Sequence, residues 1–455
     1  EQTMTKERSD TLSLLKADLN QNRLVEAVQL LADLHPADIA DLFEALDEHE
    51  KKKLFRELDI DTASEVIAEL SEFSQDQILA DLPHQRLGEI VDELDSDDAA
   101  DLLASVPEEV VEEVLASIDV EDSREVRRLL AYDEETAGGV MQAELLAVPQ
   151  EATIADTIKH VREHGKDLEG LANIFVINPR KQVVGQMSLR RLIISDPGDI
   201  VAEVMDTSVR PIPVEMDQED VARIFQKYDI ISAPVVESDG SLVGRITIDD
   251  VIDIIEDEIS EDVLRMAGTH EDELVYGDQI WKISRFRLPW LLITLVGGLL
   301  TGYLLWLFKV ALADAIVLVT FIPVIMALGG SVAIQSTTIT VRGLATGAID
   351  LRRLGRTVYK ETRVGLLMAL ACGLTLGIAA EIWHRNPVLG LTVGTSMALV
   401  ILVASLMGTL IPVAFQRLGI DPAVSSGPFV TMVNDISGIV IYLSLSSAFL
   451  KYIAG

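Results

Sequence analysis

Hydrophobic residues follow two regimes along the chain, and the change falls near Leu288. After that point apolar residues run on almost unbroken. Runs longer than about 17 residues predict transmembrane helices, and five occur: Leu288–Phe308, Ala311–Val341, Val364–Ile382, Val388–Ala414 and Pro428–Leu450. The second is too long for one straight crossing. Pro323 and the pair Gly329-Gly330 interrupt it, which predicts a kink or an unwound turn there. The pairs Gly298/Gly302, Gly343/Gly347, Gly373/Gly377 and Gly390/Gly394 are spaced to let helix backbones approach closely.

Before Leu288 the apolar residues come in short amphipathic groups with a fixed period. Leu42, Val66, Ile90 and Val114 are 24 apart, and so are Leu46, Leu70, Leu94 and Ile118. The sets Leu54, Ile78, Leu102, Val126 and Leu58, Leu82, Val106, Leu130 repeat at the same spacing. Two short helices per unit, each unit burying the next one's face, predict an α-helical solenoid.

A different repeat spans about Thr136–Asp262. Val140-Met141 matches Val204-Met205, and Val148-Pro149-Gln150 matches Ile212-Pro213-Val214. Ile174–Ile177 matches Ala233–Val236, and Val184–Leu189 matches Val243–Ile248. Each unit reads helix, strand, strand, helix, with turns at Asn178-Pro179-Arg180 and Ser238-Asp239-Gly240. This pattern resembles a tandem CBS pair, which implies an α/β regulatory module that binds adenine nucleotides or metal ions and has no catalysis of its own. The string His160-Val161-Arg162-Glu163-His164 fits a zinc-peptidase motif. It sits in a helix of this module without a downstream ligand, so no catalytic zinc and no enzyme activity are expected.

Charge sharpens the division. The chain has 455 residues with net charge −36. Residues 1–288 carry −40 and the rest +4. Nucleic acid is excluded as a partner, since phosphate binding needs positive charge. The one cysteine, Cys372, excludes a disulfide framework. Residues 1–30 are polar and charged, so no cleavable signal is expected there. Lys282, Arg285 and Arg287 precede the first span, Arg352–Arg363 separate spans two and three, and Arg417 follows span four. All three clusters share one side if the N-terminus is cytoplasmic, which puts the C-terminus outside.

Two features carry candidate chemistry. Residues 249–262 hold eight acids and no base. As a helix they set Asp250, Asp253, Asp257 and Glu261 on one stripe, and each like-charged i,i+4 contact costs ~0.2–0.5 kcal/mol. Something cationic should hold such a helix to its neighbours, and hard divalent cations bind carboxylates. The second feature is Asp435, read as the one carboxylate well inside an apolar span. In lipid an unpaired charge there costs at least ~2.5 kcal/mol. It therefore predicts a cation site in a pore, with Asn434, Thr431 and Ser437 as neutral oxygens.

The order of parts, with Thr136–Met141, Thr247-Ile248-Asp249-Asp250-Val251 and Asp435-Ile436-Ser437-Gly438 as local strings, resembles the MgtE family of magnesium channels and transporters over essentially the whole chain. The resemblance implies a multidomain membrane protein. Its expected parts are a helical N domain at 1–131, CBS domains at 132–200 and 201–248, an acidic plug helix at 249–280 and five membrane helices at 281–455. It implies a homodimer in the inner membrane with Asp435 in the pore. Cytosolic Mg²⁺ sites are implied at Asp217, Glu219, Asp229, Asp250, Asp253, Glu258, Glu261, Asp262 and Asp421, with Glu65, Asp97 and Asp101 in the solenoid. It also implies closure by intracellular Mg²⁺ and a CBS pair able to take ATP. One departure stands out: the family's G-G-N-x-G-x-Q reads Gly329-Gly330-Ser331-Val332-Ala333-Ile334-Gln335 here, which puts ion selectivity or conductance in question. Alternatives are transport or export of Co²⁺ or Mn²⁺, and a membrane-anchored sensor that does not conduct.

Overall fold

The computed structural model describes residues 2–166, 168, 170–269, 280–309, 316–349, 351–425 and 427–449. Residues 270–279 of the expected plug segment, 311–315 of the expected second span and Leu450 lie outside them. The chain divides into two units, Glu1–Glu258 and Ile259–Gly455.

The first unit opens with α1 (Gln2–Asn20) and α2 (Leu24–Leu31), followed by the repeat. Its first helices are α3 (Pro36–Glu44), α5 (Ile60–Ala68), α7 (His84–Val91) and α9 (Glu108–Leu115). Its second helices are α4 (Glu48–Phe55), α6 (Glu72–Leu79), α8 (Ser96–Ala104) and α10 (Val120–Leu129). The periodic residues are the core: Leu42, Val66, Ile90 and Val114, and Leu54, Ile78, Leu102 and Val126, are all buried. Caps fix the boundaries. Asp47 and Glu50 form a reciprocal capping box at the start of α4, and Asp59 accepts from Thr62 N at the start of α5.

The second part of this unit contains two three-stranded sheets of the same topology. β1 (Ala147–Pro149) pairs parallel with β2 (Asn173–Ile177), which pairs antiparallel with β3 (Val183–Ser188). β4 (Ile212–Pro213), β5 (Ser232–Val236) and β6 (Leu242–Thr247) repeat this arrangement. The helices are α11 (Ile154–His164), α12 (Leu189–Ile194), α13 (Val201–Val204) and α14 (Gln218–Tyr228). The short strands β1 and β4 are additions to the expected helix-strand-strand-helix unit. They are two or three residues long and contain proline, so no alternation marks them in sequence.

Each half lends a segment to the other. Gln142 exchanges backbone hydrogen bonds with Arg245, and Gln186 does so with Asp206. The matched Val-Met pairs explain why. A Cβ at Gly244 would lie 2.5 Å from Met141 Sδ, and one at Gly185 would lie 2.6 Å from Met205 Sδ. The glycines admit the partner's methionine against the sheet. α15 (Ile248–Ala267) follows β6 directly.

In the second unit α16 (Ile280–Leu307), α17 (Ile322–Ala345), α18 (Leu354–His384), α19 (Pro387–Arg417) and α20 (Pro428–Ala448) are each long and apolar enough to cross a membrane. The expected interruption of span two is only partly found. A 3-10 turn over Ile316–Phe321 gives way to α17 at Pro323, where the ring sits in the first helical turn. Gly329-Gly330 lie inside continuous helix. Gly329 serves packing instead, since a Cβ there would meet Val400 Cγ1 at 2.9 Å and Asn434 Oδ1 at 3.0 Å. Gly373 and Gly377 of α18 likewise meet Gly394 and Gly390 of α19 backbone to backbone.

Replacing Gly244 with Val should destabilise the sheet pair by about 1–3 kcal/mol, because backbone as well as Met141 stands in the way. Gly198→Ala, which enters open space, should melt like the parent. Equal melting temperatures for the two variants would contradict the exchanged-segment packing.

Candidate functional site

Carboxylates are crowded together where α8 meets α15. α8 presents Asp97, Asp98 and Asp101, and α15 presents Asp250 and Asp253. Val251 and Ile254 anchor α15 by burying its apolar stripe. Its first turn is fixed by Asp250, whose Oδ2 accepts from Thr247 N at 2.9 Å and from Thr247 Oγ1 at 2.7 Å. The acids therefore meet because apolar packing and a cap leave them no other place.

Their protonation records the crowding. Asp97 is 6% exposed, and among the described residues its Oδ1 has no hydrogen-bond partner. Burial, then repulsion from Asp98, Asp250 and Asp95, pushes its carboxyl well up. Asp98 is pushed up to about 7 by lost hydration and by Asp95, Asp101, Asp250 and Glu69. Asp101 rises to about 6 through lost hydration, Glu134, Glu72 and Asp250. Asp253 also rises to about 6, from lost hydration, Asp257, Glu69 and Asp250. Asp98, Asp101 and Asp253 keep exposed edges, so ions can reach them from solvent. Burial also raises Asp250, against the opposing Thr247 bonds.

Sequence reasoning picked out Asp97, Asp101, Asp250 and Asp253. It missed Asp98, and it missed Glu69, Glu72 and Glu134 at the edge. The run Asp97-Asp98 was a visible signal for the first. Glu65 instead lies on the exposed face of α5.

A second grouping joins α14 to α15. Asp217 caps α14, accepting from Glu219 N at 3.0 Å. Gln218 Nε2 donates to Glu258 at 2.8 Å. Glu219 is raised by burial and by Glu258 and Asp217, against an ion pair with Arg223 at 3.0 Å. Asp229 ends α14 in the left-handed region, at φ 51°. It lines a different feature, a cleft of about 400 Å³ between the two sheets. Asn173, Gln186, Arg210, Tyr228 and Ser232 share that cleft, and the Arg210 guanidinium lies 3.6 Å over the Tyr228 ring.

In the second unit Arg265 pairs with Glu261 and holds Asp421 Oδ2 at 2.8 Å. Asp421 Oδ1 also accepts from Ala423 N at 2.8 Å. Both acids, expected as metal ligands, carry a guanidinium partner here. Asp262 is half-buried on the same helix. Asp435 is half-buried in α20. The Asn434 amide, 1% exposed, turns toward Gly329 and has no hydrogen-bond partner among the described residues. Thr431 and Ser437 donate to the main-chain oxygens of Gly427 and Asn434.

One expectation is overturned. Asp435 is not the sole carboxylate inside the bundle. Glu361, assigned to the basic loop, is 6% exposed in α18 among the hydroxyls of Ser336 and Ser405. Its polar neighbours in sequence hid that position.

The rings of His160 and His164 lie 4.4 Å apart on α11, tilted by 40°, and Glu163 pairs with Lys159 instead. Among the described residues no three His, Cys, Asp or Glu groups form a closed metal cage. The acid crowd suits an ion that keeps much of its water, as Mg²⁺ does.

Three family profiles match the chain: a divalent cation transporter (MgtE) at residues 322–445, an MgtE intracellular N domain at 34–135 and a CBS domain at 201–257. The magnesium transporter MgtE of Thermus thermophilus is 36% identical over 72% of this chain and 73% of its own. That of Bacillus subtilis is 32% identical over 72% of each. A crystal structure of the cytosolic domain of the Mg²⁺ channel MgtE in complex with ATP is 33% identical, with TM-score 0.50, and covers 53% of this chain and 99% of that one.

A pH series follows from the acid crowd. A carboxyl raised on folding binds more protons folded than unfolded, so stability falls as pH rises from about 4 to about 7. After allowance for solvent screening the effect is about 1 kcal/mol, or a fall of about 2–4 °C in Tm. Asp98→Asn should flatten that slope in metal-free buffer, and Mg²⁺ should flatten it in the parent. An Asp98→Asn protein with the parent's slope would refute the crowding.

Proposed function

The chain belongs to the MgtE family of divalent cation transporters, and from that premise we propose that it is a Mg²⁺ channel gated by the ion it carries. Transport of Mg²⁺ follows from the family. The finer reading is that intracellular Mg²⁺ binds the acidic cytosolic unit and closes the pore. The observation that carries it is the crowd of Asp97, Asp98, Asp101, Asp250 and Asp253, with the buried Asp97 Oδ1 left without a hydrogen-bond partner among the described residues. Bare, these groups repel one another. With hydrated divalent ions between them α8 and α15 are drawn together, and with Asp217, Glu219 and Glu258 so are α14 and α15. Loss of the ions frees the part of α15 beyond Ile254, whose far end runs to Ala267. This supports α15 as the element that carries the signal toward the membrane helices.

For conduction, two Asp435 side chains from a homodimer would hold a largely hydrated cation on the shared axis. Paired carboxylates in a narrow passage focus the field and favour divalent over monovalent ions. The basic loops support a cytoplasmic N-terminus, an external C-terminus and an inner-membrane location, so that the ion enters the cell.

Asp435→Ala should abolish Mg²⁺ uptake into proteoliposomes, a loss of at least about tenfold given the cost of removing an intramembrane ligand. Wild-type uptake would remove the pore assignment, and uptake of Co²⁺ or Mn²⁺ in preference to Mg²⁺ would favour the rival cargo. Cleavage by protease between residues 249 and 280 should fall as Mg²⁺ rises through the millimolar range. An unchanged pattern would contradict ion-bridged closure.

The cleft beside Tyr228 supports ATP as a second ligand, as in the related cytosolic domain named above. Arg210 and Asp229 offer a cation and an acceptor at its rim, and Tyr228 an aromatic face. Tyr228→Ala should weaken ATP binding by about 1–3 kcal/mol, the worth of one stacked base, in equilibrium dialysis. Unchanged affinity would place ATP elsewhere.

A further inference from the structure

Glu361 is a carboxylate that the transport scheme does not use. It lies on α18, packed between α17 and α19, and is 6% exposed. On α18 Glu361 precedes the apolar run Val364–Ile382 by three residues, yet its carboxylate is buried beside Ser336 of α17. An ionised carboxylate buried between helices needs a partner. Among the described residues none of the ion pairs includes Glu361. The charged residues of the packed helices nearest in sequence, Arg342 on α17 and Arg417 on α19, are exposed and lie six and twelve positions beyond Ser336 and Ser405.

The oxygen spacing around it is unusual. Glu361 Oε2 is 3.5 Å from Ser336 Oγ, Ser336 Oγ is 3.4 Å from Ser405 Oγ, and Ser405 Oγ is 3.3 Å from the Glu361 main-chain oxygen. Hydroxyl hydrogen bonds prefer about 2.7–2.8 Å. The bundle is not loose at this point. Thr340 donates to Ser336 O at 2.7 Å, Thr409 to Ser405 O at 3.0 Å and Thr337 to Gly408 O at 3.0 Å. Glycines bring the backbones together, since a Cβ at Gly365 would sit 3.0 Å from Ser405 Oγ and one at Gly408 would sit 2.5 Å from Ala333 O.

These long hydroxyl contacts also match the oxygen spacing around a shared cation. An ion about 2.3–2.6 Å from each oxygen, with adjacent ligands at right angles, sets them roughly 3.3–3.7 Å apart. Mg²⁺, at about 2.0–2.1 Å, would draw them to about 2.8–3.0 Å. One carboxylate balances one positive charge, whereas a divalent ion would leave net charge in an apolar core. We propose that Glu361, Ser336 and Ser405 bind a sodium-sized monovalent cation that ties α17, α18 and α19 together. This does not rest on the Mg²⁺-gating proposal.

The test uses the full chain in detergent, melted in NaCl or in choline chloride at equal ionic strength and without Mg²⁺. Sodium should raise Tm in a saturable way. Glu361→Gln, which keeps the shape and removes the charge, should abolish the rise. Ser405→Ala should weaken the apparent sodium affinity by about tenfold, and serves if Glu361→Gln fails to fold. ²³Na relaxation should report exchange at the site in the parent and lose it in the variants. The proposal is overturned if sodium and choline give equal melting curves. It is also overturned if the variants keep the sodium effect, or if only pH moves Tm through Glu361, which would mean the site holds a proton.

Discussion

Asp97, Asp98 and Asp101 on one helix and Asp250 and Asp253 on another are held together by forces that have nothing to do with their charge. Val251 and Ile254 are buried and Asp250 accepts from Thr247 in the first turn of α15, so this end of the helix stays in place in spite of repulsion. The cost shows in carboxyls that keep their protons far above the usual range, with Asp98 pushed up to about 7. Protons and divalent ions are then competing ways to relieve the same strain. In the function proposed above, cation concentration sets the stability of this contact, and the continuous helix α15 carries the change onward.

The membrane helices solve a related problem by different means. Backbones approach through glycine, as at Gly373 against Gly394, and polar groups are paid for locally by main-chain oxygens. Thr337, Thr340 and Thr409 all donate in this way. Asn434 and Glu361 depart from that rule. Among the described residues the first leaves both amide atoms unpartnered, and the second meets the Ser336 hydroxyl at 3.5 Å. In a medium without water such departures mark places where ions or water complete the structure.

How much of this was legible in sequence depended on periodicity. The 24-residue spacing gave the solenoid helix by helix, because every repeat position had to be buried. The five spans were equally plain. What failed were features set by tertiary contact. β1 and β4 are too short to alternate, so their pairing with β2 and β5 left no local pattern. Gly329-Gly330 read as a breaker, yet close packing against Asn434 keeps the helix intact. Glu361 sat among arginines and lysines and read as a loop residue. Arg265, three residues past the acidic stretch, pairs with Glu261 and Asp421, a contact that no local pattern announces.

The central claim is that divalent ions replace protons in the acidic contact, and calorimetry of the full chain reads this directly. Mg²⁺ should be titrated near pH 6.5 in buffers of different ionisation enthalpy, so that the heat reports protons released on binding. Proton release that shrinks above about pH 8, and that Asp98→Asn reduces, is the expected result. Binding with no buffer dependence at any pH, or no binding at all, would contradict the account.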